Sequence, residues 1–122
     1  MRTRIIAVGA GAPTLRLAAS DVAAAWGRRG GTGGAAVCAP DEDTLTLGAA
    51  AALHALEAAG IEPAGVDGLW WGTTRPPFAE GPSHAVLATA IGLSHHAGGA
   101  LMSGSPHSGI EALLGAADAV AA

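Results

Sequence analysis

Apolar positions along the chain alternate between short β-branched runs and stripes at helical spacing. Residues 4–9 hold Ile5-Ile6-Ala7-Val8, a continuous apolar run closed by Gly9, and read as a buried strand. Residues 20–26 predict a short helix with Ser20 at its N-cap and Asp21 in its first turn. Residues 28–34, Arg28-Arg29-Gly30-Gly31-Thr32-Gly33-Gly34, offer no face to bury and read as a flexible loop. A longer helix is expected over 41–59. Its opening Asp41-Glu42-Asp43 suits the positive end of the dipole, Leu45, Ala49, Ala52, Leu53 and Leu56 share a face, and Gly60 stops it.

The same pattern then repeats. Residues 68–74, with Trp70-Trp71 at their centre, predict a second strand that points its indoles to opposite faces, and Pro76-Pro77 breaks it. Pro82 and Ser83 open a helix that turns Val86, Leu87, Ala90 and Ile91 inward, with Gly92 at its end. Residues 99–103 predict a third strand, and Ile110, Leu113, Leu114, Ala117 and Val120 mark the inward stripe of a last helix. Strands alternating with helices predict an α/β fold with a parallel-sheet core and helical crossovers. Three strands leave edges and faces uncovered, so the sheet is expected to be incomplete, a fragment or a chain completed by a partner.

Composition narrows the function classes. Half of the 122 residues are hydrophobic and 13% are charged, which excludes a disordered, solvated chain. Alanine dominates the apolar set, 19 residues are glycine and aromatics make up 3%, so side-chain bulk for an independent core is thin. A net charge of −4, with six basic residues that are all arginine, gives no electrostatic basis for nucleic-acid binding. Cys38 is the single cysteine, so neither a disulfide framework nor a multi-cysteine metal site is expected, and a reducing cytoplasm is the default compartment. The N-terminal apolar run is too short for a signal sequence, and no stretch has the length of a membrane span.

Few residues invite chemistry. Gly9-Ala10-Gly11-Ala12-Pro13-Thr14 lacks the third small residue of a dinucleotide fingerprint, and Pro13 interrupts the helix that should follow. His95-His96 reads as a solvated turn, His54 as a satisfied helix histidine and Cys38 as an incidental thiol. The turn Ser103-Gly104-Ser105-Pro106-His107-Ser108-Gly109 is different, because it carries a strand into a helix N-terminus, where the dipole favours negative charge. Ser105 and His107 are its candidate catalytic residues.

Three stretches together resemble the N-terminal part of the 3-hydroxy-3-methylglutaryl-CoA synthase family, within the thiolase-like acyltransferases. They are Gly9-Ala10-Gly11-Ala12-Pro13 through Arg16-Leu17 with Asp21 to Trp26-Gly27; Pro40-Asp41-Glu42-Asp43-Thr44; and Gly72-Thr73-Thr74-Arg75-Pro76-Pro77-Phe78-Ala79-Glu80. The resemblance implies a partial thiolase-like fold over residues 1–122, whose first half is incomplete. Two such halves stack in five layers in the family, which usually forms dimers beside the nucleophile strand. In gapless register the family's nucleophilic cysteine falls on Pro106, with the glycine of its pattern kept as Gly109, and the acid/base glutamate falls on Thr74. A tyrosine of the first turn is replaced by Gly11. A slip of one residue puts Ser105 or His107 at the elbow instead.

Thioester chemistry needs a thiolate to take the acyl group and a carboxyl group to form the enolate, and Pro and Thr supply neither. The resemblance therefore implies an acyl-CoA-handling chain without synthase activity of its own and without a further cofactor or metal. Two rival expectations stand beside it. One is a non-catalytic assembly subunit. The other is a truncated acyltransferase or aldolase-like chain, working as a homodimer or with a zinc-ribbon/OB-fold acyl-CoA-binding protein, in which His107 is the acid or base.

Overall fold

The computed structural model describes residues 3–122, which form two compact units, residues 12–43 and the remainder of the chain. In the smaller unit, β1 (Leu15–Ala18) and β2 (Gly34–Val37) form an antiparallel pair with Leu15 opposite Val37 and Ala18 opposite Gly34, and α1 (Ala19–Ala25) lies between them in sequence. The expected helix is present here, with Ala18 and not Ser20 at its N-cap, but both strands went unread: each is only four residues long and exposed throughout. Glu42 holds the ends of this pair together. Its carboxylate accepts hydrogen bonds from the Ala39 amide at 2.8 Å and the Thr14 amide at 3.1 Å. Those bonds, with the nearby Arg16 charge a lesser contributor, hold its carboxyl below the usual carboxylate range.

The larger unit contains α2 (Thr44–Ala59), a 3₁₀ turn at Pro63–Gly65, β3 (Gly68–Thr73), α3 (Ser83–Ala90), β4 (Gly98–Ser103) and α4 (Ser108–Ala121). β3 and β4 are parallel, running in register from Gly68 opposite Gly98 to Thr73 opposite Ser103, with α3 in the crossover as the alternation predicted. Helix α2 starts at Thr44, so Asp41, Glu42 and Asp43 precede it, and Glu42 serves the loop instead of the dipole. Gly60, at φ 65°, ends α2: the Ile61 amide reaches back to the Leu56 carbonyl and the Gly60 amide to that of Glu57.

The core lies on one face of the parallel pair. Leu87, Ile91 and Leu93 are buried there against Leu45, Ala49 and Ala52 of α2 and Leu69 and Trp71 of β3. Val86 and Ala90, expected inward, are exposed. Trp70 points to the opposite face, where a Cβ added at Gly115 of α4 would meet its ring at 3.0 Å. The two indoles thus occupy opposite faces, as strand geometry requires.

Two expectations fail in this unit. Residues 4–9 form no strand; they run beside α2 so closely that a Cβ at Gly9 would collide with the Ala51 carbonyl and one at Gly11 would approach that of Leu47 to 2.5 Å. Those glycines serve close backbone approach and not a nucleotide turn. Helix α4 is also turned over. Its small residues Ser108 and Ala112 are buried, while Ile110, Leu113, Leu114 and Val120 face out. The reason is space: Gly72 of β3 brings the helix start so near that a Cβ there would strike the Ser108 carbonyl. Large apolar side chains stay exposed in both units, Trp26 in the smaller and Ile110, Leu113 and Leu114 in the larger.

Candidate active site

Parallel strands deliver their carboxyl ends to one edge of a sheet, and loops beyond that edge are where α/β proteins bind ligands. Here Thr73 and Ser103 are the paired last residues of β3 and β4. Thr74 and the turn that carries Ser105, Pro106 and His107 follow directly on neighbouring strands about 4.8 Å apart. The two positions singled out by the family resemblance therefore share one edge.

After β3, the Thr73 hydroxyl donates to the Arg75 carbonyl at 3.1 Å and accepts from the Arg75 amide at 3.2 Å, which curls the chain and leaves Thr74 exposed. After β4, Gly104 takes φ 85°, a left-handed conformation that a side chain would strain. Ser105 and Ser108 then fasten the turn reciprocally. The Ser108 hydroxyl donates to the Ser105 carbonyl at 2.7 Å and accepts from the Ser105 amide at 3.3 Å. Ser108 is buried by this contact, which gives a structural role to a residue the sequence left unassigned.

The Ser105 hydroxyl oxygen accepts from the His107 amide at 3.1 Å, so the two candidates meet through His107's backbone. Among the described residues no hydrogen bond joins the His107 ring to that hydroxyl. Serine needs an adjacent base to become a nucleophile, and this arrangement provides a fastened turn instead. Pro106 and His107 are exposed at the entrance to α4, with the Glu111 amide donating to the His107 carbonyl. Glu111 places a carboxylate in the first turn of α4, four residues after His107, a helical spacing legible in the sequence but not singled out there.

The remaining candidates lie elsewhere. The His54 Nδ1 is 2.9 Å from the Ala10 carbonyl and donates to it, the expected satisfied helix histidine. His95 and His96 are exposed, their ring centres 4.2 Å apart, and Cys38 is exposed. Among the described residues no group of three or more His, Cys, Asp or Glu converges, and no helix is long and apolar enough to cross a membrane.

The smaller unit holds a feature that the sequence hid. Its α1 and hairpin bound an open concavity of about 730 Å³ whose wall includes Leu17, Val22 and Trp26, with Arg28, Arg29 and Thr32 on its rim. The segment read as a plain flexible loop thus contributes Arg28, Arg29 and Thr32 to a concavity that Trp26 also lines. The signal was the order Trp26-Gly27-Arg28-Arg29 directly after a helix.

These features define a protein of thiolase-like α/β architecture. It superposes on the priming β-ketosynthase of a polyketide biosynthetic pathway with a TM-score of 0.81 and 28% identity, over 98% of this chain and 40% of that one. The 3-oxoacyl-[acyl-carrier-protein] synthase III of Aquifex aeolicus shares the fold, with a TM-score of 0.80 at 18% identity, over 98% of this chain and 40% of that one. In sequence the chain is similar to hydroxymethylglutaryl-CoA synthases: it is 36% identical over 97 residues to that of Methanococcus maripaludis, matching 74% of this chain. It spans 28% of that relative's length. No family model matches the chain.

Proposed function

We propose that this chain binds acyl-CoA on a hydroxymethylglutaryl-CoA synthase-like scaffold and does not carry out the synthase's covalent step itself. The observation that carries the reading is Pro106, exposed in the turn at the carboxyl edge of β3 and β4, with Thr74 exposed beside it. A proline ring, all methylene groups closed on an amide nitrogen, has no free lone pair with which to attack, and a threonine hydroxyl cannot take the role of a carboxylate in forming an enolate. The Ser105 hydroxyl is occupied with the turn, and among the described residues no hydrogen bond orients the His107 ring as a base.

The concavity beside α1 supports the ligand class. An indole offers a stacking surface for a purine, and two arginines match the phosphates of a CoA nucleotide end in charge and fork geometry. Titration of acetyl-CoA and acetoacetyl-CoA by calorimetry tests this. Saturable binding is expected, weakened about tenfold or more by Arg28→Ala with Arg29→Ala, in line with losing charge-assisted hydrogen bonds. Absence of binding, or binding indifferent to both arginines, sinks the assignment.

The exposed large apolar side chains favour a second reading, a non-catalytic assembly subunit that joins a second copy or a zinc-ribbon/OB-fold acyl-CoA-binding protein. Co-purification with such a partner, without acyl-CoA affinity in this chain, would select it.

A further inference from the structure

We propose that a concavity at the amino ends of β3 and β4 binds a short aliphatic carboxylate, with the His84 imidazole and the Ser94 hydroxyl donating to its oxygens. The concavity holds about 500 Å³ and lies wholly within the larger unit. That volume falls in the range of small-molecule sites, roughly 300–1,000 Å³. Leu69 and Gly98, at the starts of their strands, put it at the opposite end of the sheet from Thr74 and the Ser103–Ser108 turn. Leu69, Ala88 and Leu93 supply apolar wall, and His84, Thr89, Ser94 and His95 supply the polar groups.

What those groups have already spent decides what they can still take. The Thr89 hydroxyl donates to the Ala85 carbonyl at 2.9 Å. The Ser94 hydroxyl oxygen accepts from the His96 amide at 3.2 Å, and among the described residues its own proton meets no acceptor. His84 is half-buried, and its Nδ1 is buried without a hydrogen-bond partner. A buried N–H without an acceptor is the rarer and costlier defect, an unpaired acceptor the commoner one, so in the neutral ring the proton belongs on Nε2. That tautomer leaves His84 a donor and no free lone pair outside the buried edge, which suits an acceptor oxygen and not a metal ion. No carboxylate lines the concavity, so no protein anion competes for the donors or repels a charged ligand. A ligand with oxygens at one end and hydrocarbon at the other fits these walls. A carboxylate surpasses a neutral carbonyl, because its two oxygens take both donors and its charge strengthens each bond.

The test is hexanoate, with hexanamide as its uncharged counterpart, titrated into the chain labelled with ¹⁵N-histidine at a pH where histidine is neutral. Long-range ¹H–¹⁵N correlation is expected to show His84 protonated on Nε2 and its ring signals shifting saturably with hexanoate. Hexanamide is expected to bind about tenfold more weakly or worse, as is hexanoate to His84→Phe, in line with losing a charge-assisted hydrogen bond. If His84→Phe does not fold, the tautomer and the hexanamide comparison on the wild-type chain still decide. A His84 proton on Nδ1, no saturable shift, hexanamide binding as tightly as hexanoate, or undiminished binding by a folded His84→Phe overturns the proposal.

Discussion

Glu42 shows how one side chain can carry the local order of a small unit. Its carboxylate receives the Thr14 and Ala39 amides, and those bonds favour its charged form. Because its folded pKa lies below the ordinary value of 4.5, its contribution is fully present above that value. It is lost as pH falls through the lower, folded pKa. Glu42→Gln should therefore speed hydrogen exchange at the Thr14 and Ala39 amides at neutral pH, with the difference from wild type closing only well below pH 4.5. Equal exchange at neutral pH would show that the carboxylate does not hold the hairpin ends.

At the scale of elements, contact between backbones decides what side-chain pattern alone does not. Gly72 lets the start of α4 lie on β3, and a methyl group there would strike the Ser108 carbonyl. Gly72→Ala is expected to destabilise the fold by about 1–3 kcal/mol, the usual range for forced overpacking, measured by denaturant unfolding. An unchanged midpoint would show that α4 can shift freely. The same contact explains why the face of α4 was misread: its large residues form the better apolar stripe, but only the small ones fit over Gly72 and beside Trp70. Helices α2 and α3 and strands β3 and β4 were legible because length, apolar content and terminal glycines agree. Strands β1 and β2 were not, because Leu15–Ala18 and Gly34–Val37 are short, exposed and held by pairing with each other. Residues 4–9 have the composition of a strand and lack the paired backbone that would make them one.

Across the whole molecule, the candidate edge was legible further than its chemistry. The predicted parallel order of strands is present in β3 and β4, and it is the structure that sets Thr74 and the Ser103–Ser108 turn beyond one sheet edge. The turn's hydrogen bonds were hidden, because neither the reciprocal Ser105–Ser108 contact nor the His107 amide on the Ser105 hydroxyl has a periodic signature. The Trp26–Arg29 concavity was hidden for a related reason: the order of residues after α1 carries a signal, but only the fold shows which residues share its wall. The most direct test of the proposed chemistry is intact-protein mass spectrometry of the wild-type chain after incubation with acetyl-CoA at a concentration that saturates binding. An unchanged mass is expected, with acetyl-CoA recovered intact. A stable acetyl adduct mapped to Ser105, His107 or another residue of that turn would contradict it and restore a covalent acyltransferase step to this scaffold.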